Sequence, residues 1–344
     1  MSEASTTPKE ATLGVPPEPP AAAREDRERR ISGQTIATLG PLIALIATCV
    51  LFTVTSDRFL TGGNLSLVVQ QVSVLGVLAI GQTLIILTAG IDLSCGTVMA
   101  FGSIVMTKLA VDSGVPPALA ILLGFLACVA FGFANGALVT GIRLPPFIVT
   151  LGTFYIAFAL THIYSNEETI SNVPGAMTAL GNTFTLGSTA ITYGSVVALG
   201  LFALAWFVLS QTAWGRRLYA IGDNPEATRL MGIPVKRQLL GIYMLAGAIY
   251  GIAALLLVAR TNVGDPNAGQ TDNLDSITAV VLGGTSLFGG RGSVIGTLIG
   301  ALIVGVLRNG LVLLGVESIY QVLITGVLVI VAVSVDQLAR RRSS

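Results

Sequence analysis

Asp92 and Asp275 are the acidic residues that come closest to the interior of long apolar segments. An ionisable side chain inside a membrane span is costly, and such residues therefore tend to serve proton relay or ion binding. Both residues lie at the ends of predicted spans, and the span interiors are otherwise almost free of charge. The pattern gives no obvious proton relay, so a transporter built from this chain needs energy from elsewhere.

The sequence carries no recognisable catalytic or nucleotide-binding motif. A phosphate-binding P-loop needs Gly-Lys followed by Ser or Thr, and none of the lysines (Lys9, Lys108, Lys236) follows a glycine. The single histidine, His162, excludes zinc sites built on histidine pairs, and the three cysteines lack metal-ligand spacing. The net charge of +1 gives no basis for nucleic-acid binding. We therefore expect no enzyme, metal or cofactor in this chain.

Polar residues in the apolar segments are the candidates for contact with a solute. Amides there hydrogen-bond either a neighbouring helix or a substrate, and both roles remain open. Asp92 stands in a Gly-Ile-Asp-Leu-Ser turn that either caps the next helix or forms a gate. Phe147, Thr150 and Phe154 share a helix face that belongs either to the core or to the pathway. The pathway candidates are Gln71, Gln82, Asp92, Asn135, Phe147, Thr150, Phe154, Asp275 and Asn309.

The composition predicts an all-α polytopic membrane protein. Hydrophobic residues make up 53% of the 344 residues and charged residues 11%, whereas soluble domains carry about 25% charged residues. So few charges cannot cover a water-facing surface. Residues 1–31, rich in proline and charge, are expected to form a disordered cytoplasmic tail. Residues 32–344 are expected to form one transmembrane domain.

Ten apolar segments are candidates for membrane spans, since a crossing helix needs about 20 residues. The full-length candidates are 36–56, 66–89, 116–140, 190–210, 238–259 and 317–335. The shorter ones are 96–112, 146–164, 276–288 and 292–308. Segment 276–288 is too short to cross alone and is predicted to be half of a broken helix. We expect about ten transmembrane helices, with eight as the alternative.

The distribution of Lys and Arg predicts the orientation, because short cytoplasmic loops carry an excess of positive charge. With ten crossings and a cytoplasmic N-terminus, 15 of the 19 basic residues are cytoplasmic. The exceptions, placed outside or at the outer edge, are Arg58, Lys108, Arg260 and Arg308. Both termini and the loop 212–237 are therefore predicted to be cytoplasmic.

A short helix is predicted in that loop. Asn224 suits the N-cap, Pro225 the first helical position, and Glu226 the positive helix start. Gly232 suits the C-terminal cap. Since two isolated turns are marginal in water, the helix must dock, either on its own bundle or, as we favour, in a groove of a cytoplasmic partner. The candidate docking residues are Asp223, Asn224, Pro225, Glu226, Ala227, Arg229 and Gly232.

At this loop the chain resembles the ribose/xylose/galactose-type permeases of binding-protein-dependent ABC importers. The resemblance rests on four stretches that occur in order and cover about residues 65–335. They are Gly81-Gln82-Thr83 with Gly90-Ile91-Asp92-Leu93-Ser94-Cys95-Gly96; Asn135-Gly136 with Pro145-Pro146-Phe147-Ile148-Val149-Thr150-Leu151-Gly152-Thr153; Ala220-Ile221-Gly222 with Asn224-Pro225-Glu226-Ala227 and Gly232-Ile233; and Gly283-Gly284-Thr285-Ser286-Leu287-Phe288-Gly289-Gly290-Arg291-Gly292 with Asn309-Gly310-Leu311.

The sequence departs from the pattern of these permeases just before the fourth stretch. They commonly carry Gly-Tyr-Glu-Leu-Asp-Ala-Ile-Ala, of which Leu274, Asp275 and Ile277 are kept. The aromatic residue and the glutamate are replaced by Asp272 and Asn273. The difference bears on the substrate and on the outer gate.

The resemblance implies a permease subunit that forms the path for a monosaccharide or a related small polar solute across the bacterial inner membrane. ATP and Mg²⁺ would bind a separate cytoplasmic ABC ATPase that grips the loop around Glu226. Further implied partners are a second permease copy or a related permease, a periplasmic or lipid-anchored sugar-binding protein, and membrane lipid. The alternatives are an ion-coupled secondary transporter and, with least support, a membrane enzyme or scaffold. The identity of the sugar, polyol, nucleoside or signalling furanose stays open.

Overall fold

Helices make up almost all of the fold. The computed structural model describes residues 39–341, and the predicted tail 1–31 lies outside this range. In chain order the helices are α1 Leu39–Thr55, α2 Gly62–Leu87, α3 Cys95–Val111, α4 Pro117–Ala137, α5 Pro146–Ser165, α6 Gly175–Thr178, α7 Tyr193–Gln211, α8 Ala213–Asp223, α9 Pro225–Leu230, α10 Val235–Thr261, α11 Asp272–Leu282, α12 Val294–Leu313 and α13 Ser318–Arg341. A π-helical turn, Leu138–Ile142, extends α4, and a 3₁₀ turn, Ala179–Gly181, follows α6.

Each of the ten predicted segments overlaps one of these helices, although 276–288 overlaps α11 only at residues 276–282. Within the described residues, α2, α4 with its π turn, α5, α7, α10 and α12 are long and apolar enough to cross a membrane. Three shorter apolar helices are α1, α3 and the part of α13 at Ser318–Val331. The half-helix prediction fits α11, which has 11 residues and ends at Leu282, well before α12 begins at Val294. The all-α polytopic class is supported, while the number of crossings and the position of the termini stay predictions.

Burial separates central from peripheral helices. In α2 and α10, 78% and 72% of the apolar span is buried, against 22–28% in α4, α5 and α7. The peripheral helices expose large apolar side chains such as Ile156 and Leu199. A helix that is apolar all round and yet exposed requires an apolar solvent, as in a bilayer.

A β-hairpin precedes α7 and was not predicted. Strand β1, Thr183–Leu186, pairs antiparallel with β2, Thr189–Thr192. Gly187 lies in the connecting turn at φ +63°, a conformation that glycine adopts without a steric penalty. Thr192 then caps α7 by accepting a hydrogen bond from the backbone N–H of Ser195 at 3.2 Å. The all-α prediction therefore misses one small two-stranded element.

The central helices also position the two regions described next. Helix α10 packs against α2, α3 and α4, and α12 packs against α2 and α11. Hydroxyl groups join α2 to α12 in this interior, where Thr83 and Thr297 lie 2.8 Å apart. At 1.5 Å per residue, a helix of 27 residues such as α10 extends about 40 Å.

Candidate functional sites: a docking helix and a polar cavity

Helix α9 has the caps that the sequence predicts. The side-chain Oδ1 of Asn224 accepts a hydrogen bond from the N–H of Ala227 at 2.9 Å, and Pro225 is the first helical residue. Gly232 follows the last turn at φ +80°, which favours glycine at this position. The predicted local structure is confirmed, and the docking role of its residues stays a prediction.

Most of α9 is open to its surroundings. Leu230 is 80% exposed and Met231 is 67% exposed. The side chains of Glu226 and Arg229 are also exposed, and they form an ion pair at 3.2 Å. Thr228 is buried, and its hydroxyl donates to the carbonyl oxygens of Ala220 and Asn224, both at 2.8 Å. The contacts of α9 with its own bundle therefore leave its apolar end, Leu230 and Met231, uncovered. This exposure favours the second docking alternative, a groove of a partner.

Helix α8, which precedes α9, was not predicted and anchors it to the bundle. A Cβ atom on Gly222 would lie 1.8 Å from the carbonyl oxygen of Leu87 and 2.5 Å from the nitrogen of Gly290. The N–H of Gly290 donates to that same Leu87 oxygen at 3.0 Å. The hydroxyl of Tyr219 donates to the carbonyl of Gly292 at 3.0 Å, and burial raises the pKa of Tyr219, which keeps the donor protonated. The end of α8 thus contacts the α2–α3 and α11–α12 connections together.

A polar cavity lies at the other end of the central helices. Its volume of about 360 Å³ falls in the range of small-molecule pockets, ~300–1,000 Å³. The polar and charged lining residues are Gln71 on α2, Arg260 and Thr261 on α10, Asp265 in the α10–α11 connection, Asp272 on α11, Arg308 on α12 and Gln321 on α13. Gln71 lies in the first half of α2, whereas Leu87 at its opposite end contacts α8.

Arg308 joins α12 to the start of α11. Its Nη1 donates to Oδ2 of Asp275 at 2.8 Å and lies 3.7 Å from Oδ1 of Asp272. Its Nη2 donates to the hydroxyl of Thr271 at 3.3 Å. A guanidinium group with several partners is fixed in orientation, so this cluster holds the carboxylate of Asp272 at the cavity wall.

Arg260 on α10 also lines the cavity but has no such partner. Its Nε is buried without a hydrogen bond, and the guanidinium forms no ion pair with any residue in 39–341. Gln71 also makes no side-chain hydrogen bond within this range, while Gln321 donates to the carbonyl of Val316 at 2.8 Å. Free donors and acceptors therefore face the cavity.

A second cavity, of about 500 Å³, continues on the far side of Arg308. Both cavities are lined by Gly269, Asp272, Arg308 and Gln321. The pair formed by Arg308 and Asp272 therefore stands between two polar spaces that α13 also borders.

Two of the predicted pathway residues line these cavities, Gln71 the first and Asp275 the second. Asp92 is instead buried, and its carboxylate accepts hydrogen bonds from the N–H and hydroxyl of Ser94 at 2.7 and 2.6 Å. The hydroxyl of Tyr250 donates to the same carboxylate at 3.1 Å. Asn135 donates to the Ser94 hydroxyl at 3.1 Å, so both residues belong to a network at the start of α3.

The other predicted pathway residues also lie away from both cavities. Asn309 exchanges two side-chain hydrogen bonds with Asn64, at 2.9 and 2.8 Å. Thr150 donates to the carbonyl of Ile91 at 3.0 Å. Gln82 is fully buried, with its amide unpaired among the described residues. Phe147, which is exposed, and the half-buried Phe154 lie on α5. Their part in a pathway stays a prediction.

Sequence reasoning missed the charged lining residues Arg260, Asp272 and Arg308. The charge pattern placed both arginines outside or at the outer edge of the membrane, with Arg308 as the last residue of segment 292–308. Arg308 in fact lies inside Val294–Leu313, and an arginine within an apolar run is itself a signal of function. The departure from the permease pattern at Asp272 also falls in this cavity wall.

Comparison with known proteins identifies the family. The family described as "Branched-chain amino acid transport system / permease component" matches residues 64–333. A fructose import permease of Rhizobium meliloti is 44% identical over 88% of this chain and 85% of its own length. A ribose import permease of Bacillus subtilis is 40% identical over 87% and 92%, and a D-allose transport permease of Escherichia coli 34% identical over 86% and 90%. The chain therefore belongs to this permease family and is a multi-pass inner-membrane subunit of an ABC importer.

Proposed function

We propose that the chain forms the path by which an ATP-driven importer passes a monosaccharide through the membrane. The observation that carries the proposal is the pairing of an exposed docking helix with a polar cavity at opposite ends of the same central helices. The names of the fructose, ribose and allose permeases support a monosaccharide as the cargo. A cavity lined by amide, guanidinium and carboxylate groups suits a solute that carries hydroxyl groups.

The energy source is a separate cytoplasmic ATPase that binds ATP and Mg²⁺ and receives α9 in a groove. The exposed Leu230 and Met231 supply the apolar contact, and Glu226 and Arg229 supply polar contacts around it. Apolar anchors surrounded by polar groups are typical of binding sites between proteins. A sugar-binding protein delivers the solute at the opposite face, and a second copy of the permease completes the pathway.

The proposed orientation of the protein in the membrane follows from its basic residues. Arg216 and Arg217 on α8 are exposed beside α9, which favours the cytoplasmic side for both helices. The polar cavity then opens towards the extracytoplasmic side. About ten crossings with both termini in the cytoplasm remain part of this proposal.

An ion-coupled secondary transporter is the second candidate, and one observation favours it. Ionisable residues do line a cavity within the bundle, among them Arg260, Asp272 and Arg308, and such residues often mark ion pathways. The importer remains preferred because family membership extends over most of the chain, and because the ion pairs of Arg308 give that residue a structural role.

The test is sugar uptake into proteoliposomes that contain the permease, its ATPase and its binding protein. Uptake of radiolabelled D-fructose, D-ribose or D-allose should require ATP on the side of the membrane that carries the ATPase. It should persist when ionophores collapse the ion gradients. An ATPase subunit with its P-loop lysine replaced provides the matched control and should abolish uptake. Uptake that follows an ion gradient without ATP would instead support the secondary transporter.

Substitutions in α9 test the docking assignment. Glu226→Lys reverses a charge at the proposed interface, and Gly232→Pro cannot adopt φ +80° and removes the N–H that donates to Arg229. We expect each to weaken copurification with the ATPase at least about tenfold, the scale of a lost interfacial charge contact. Gly232→Asn and Glu168→Lys are the controls, because Asn tolerates the left-handed conformation and Glu168 is exposed outside the docking segment. Normal copurification of both test variants would refute the assignment.

A further inference from the structure

We propose that Arg260, Asp272 and Gln71 form a sugar-binding station inside the permease, which selects among monosaccharides after the binding protein has released them. The inference rests on the proposed function and goes beyond it, since it gives the permease its own affinity and selectivity. It starts from the polar cavity, where side chains from three helices face one space of about 360 Å³.

Arg260 provides the strongest reason to expect a ligand. A guanidinium group has five N–H donors and no acceptor, and its Nε here is buried without a partner among residues 39–341. A buried donor left without an acceptor costs free energy. Nε itself is closed to the cavity, but the Nη N–H groups of the same guanidinium make no hydrogen bond within residues 39–341, and an oxygen atom of a solute in the cavity would accept from them.

Asp272 and Gln71 supply the complementary groups. The side chain of Asp272 is 22% exposed, and its distance of 3.7 Å to Arg308 is longer than a hydrogen bond. Its carboxylate can therefore accept from a hydroxyl, while the amide of Gln71 can both donate and accept. Vicinal hydroxyl groups of a sugar, which also donate and accept, match this alternation of groups.

The wall that carries Asp272 is fixed before a ligand arrives. Arg308 donates to Thr271 and Asp275, and it thereby positions the start of α11 without having to contact the sugar. A site whose groups are already held in place loses less entropy on binding. Arg308 is therefore a positioning residue in this proposal.

The charge balance of the cavity favours a neutral polyol over an ionic solute. Two arginines, Arg260 and Arg308, line the same space as the carboxylates of Asp265 and Asp272. Any anion or cation would meet a group of its own sign there. Val74, Leu75 and Leu257 complete the lining, and such apolar side chains can cover the C–H face of a sugar ring.

The experiment compares Arg260→Gln and Asp272→Asn with Arg58→Gln, which removes the same charge at an exposed position outside the cavity. Binding of radiolabelled D-fructose and D-ribose is measured on the permease alone in nanodiscs, and uptake is measured in the complete proteoliposome. We expect saturable binding to the unmodified permease and a loss of at least about tenfold in both cavity variants, the scale of one hydrogen bond to a charged group. Arg58→Gln should stay within about twofold of the unmodified protein, a change that corresponds to less than one such bond.

Selectivity separates a binding role from a structural one. In Asp272→Asn the ratio of D-fructose to D-ribose uptake should change, and Arg260→Lys should restore part of the binding. The station would be overturned by variants that bind like the unmodified permease, by an unmodified permease without saturable binding, or by an Asp272→Asn variant that loses uptake of both sugars in the same proportion. If the unmodified complex shows no ATP-dependent uptake of any sugar, the proposed function fails instead.

Discussion

The docking helix and the polar cavity lie at opposite ends of the central helices and are built in different ways. The end of α8 is held by backbone contacts, in which Gly222 lies against Leu87 and Gly290. The cavity wall is held by side chains, with Arg308 bonded to Asp275 and Thr271. The contact at the end of α8 depends on the absence of a side chain at Gly222. The cavity wall depends on the hydrogen bonds of the Arg308 side chain.

This difference fits the work proposed for each region. A contact between backbones leaves little room for relative movement, so displacement of α9 and α8 by a partner must move the α2–α3 and α11–α12 connections with it. A cavity lined by hydrogen-bonding side chains can exchange one solute for another without moving the helices. The first arrangement suits the transmission of force, and the second suits recognition.

The largest effect is expected when the backbone contact is broken. Gly222→Ala places a methyl group 1.8 Å from the Leu87 oxygen, so the backbone must shift, at a cost of about 3 kcal/mol or more in the free energy of unfolding. Uptake should fall to background. Gly241→Ala on α10 is the matched control, because no atom lies within 4 Å of the added Cβ. Thermal unfolding in detergent and uptake in proteoliposomes provide the two measurements.

If the Gly222→Ala protein transports normally, the distinction between the two regions loses its basis. The backbone contact at the end of α8 would then tolerate a shift without any effect on the coupling of ATP hydrolysis to uptake. A protein that folds and binds sugar but no longer couples ATP hydrolysis to uptake would sharpen the distinction.

The two regions also differ in what the sequence could predict. The caps of α9 were predicted residue by residue, because Asn224, Pro225 and Gly232 act on the backbone within a few positions of themselves. The cavity brings together Gln71 and Gln321, which are far apart in sequence and on different helices. No local pattern reports such proximity, so the sequence identifies only Gln71 in this cavity and Asp275 in the second. Each of the ten apolar segments overlaps a helix for the same local reason, since hydropathy is a property of each stretch by itself, although 276–288 runs past the end of α11.

A smaller effect is expected when the side-chain cluster at the cavity is broken. Asp275→Asn keeps the shape of the side chain but weakens its bond of 2.8 Å to Arg308, which should lower the free energy of unfolding by about 2 kcal/mol. Copurification with the ATPase should remain, because α9 lies at the other end of the bundle. Combined with Gly222→Ala, the losses should add within about 0.5 kcal/mol, since the two sites share no partner. Strong non-additivity would mean that the two regions are not separate units.

The smallest effect concerns a predicted pathway residue that belongs to neither region. Asn309 and Asn64 exchange two hydrogen bonds between α12 and α2, and such interhelical bonds contribute about 0.6 kcal/mol each in membranes. Asn309→Ala should therefore lower the free energy of unfolding by about 1 kcal/mol and leave the ratio of D-fructose to D-ribose uptake unchanged. Because Asn64→Ala removes the same bonds, the double variant should lose less than the sum of the single losses. An altered sugar ratio in Asn309→Ala would show instead that this amide contacts the solute, and the pathway would then extend beyond the two cavities into the contact between α2 and α12.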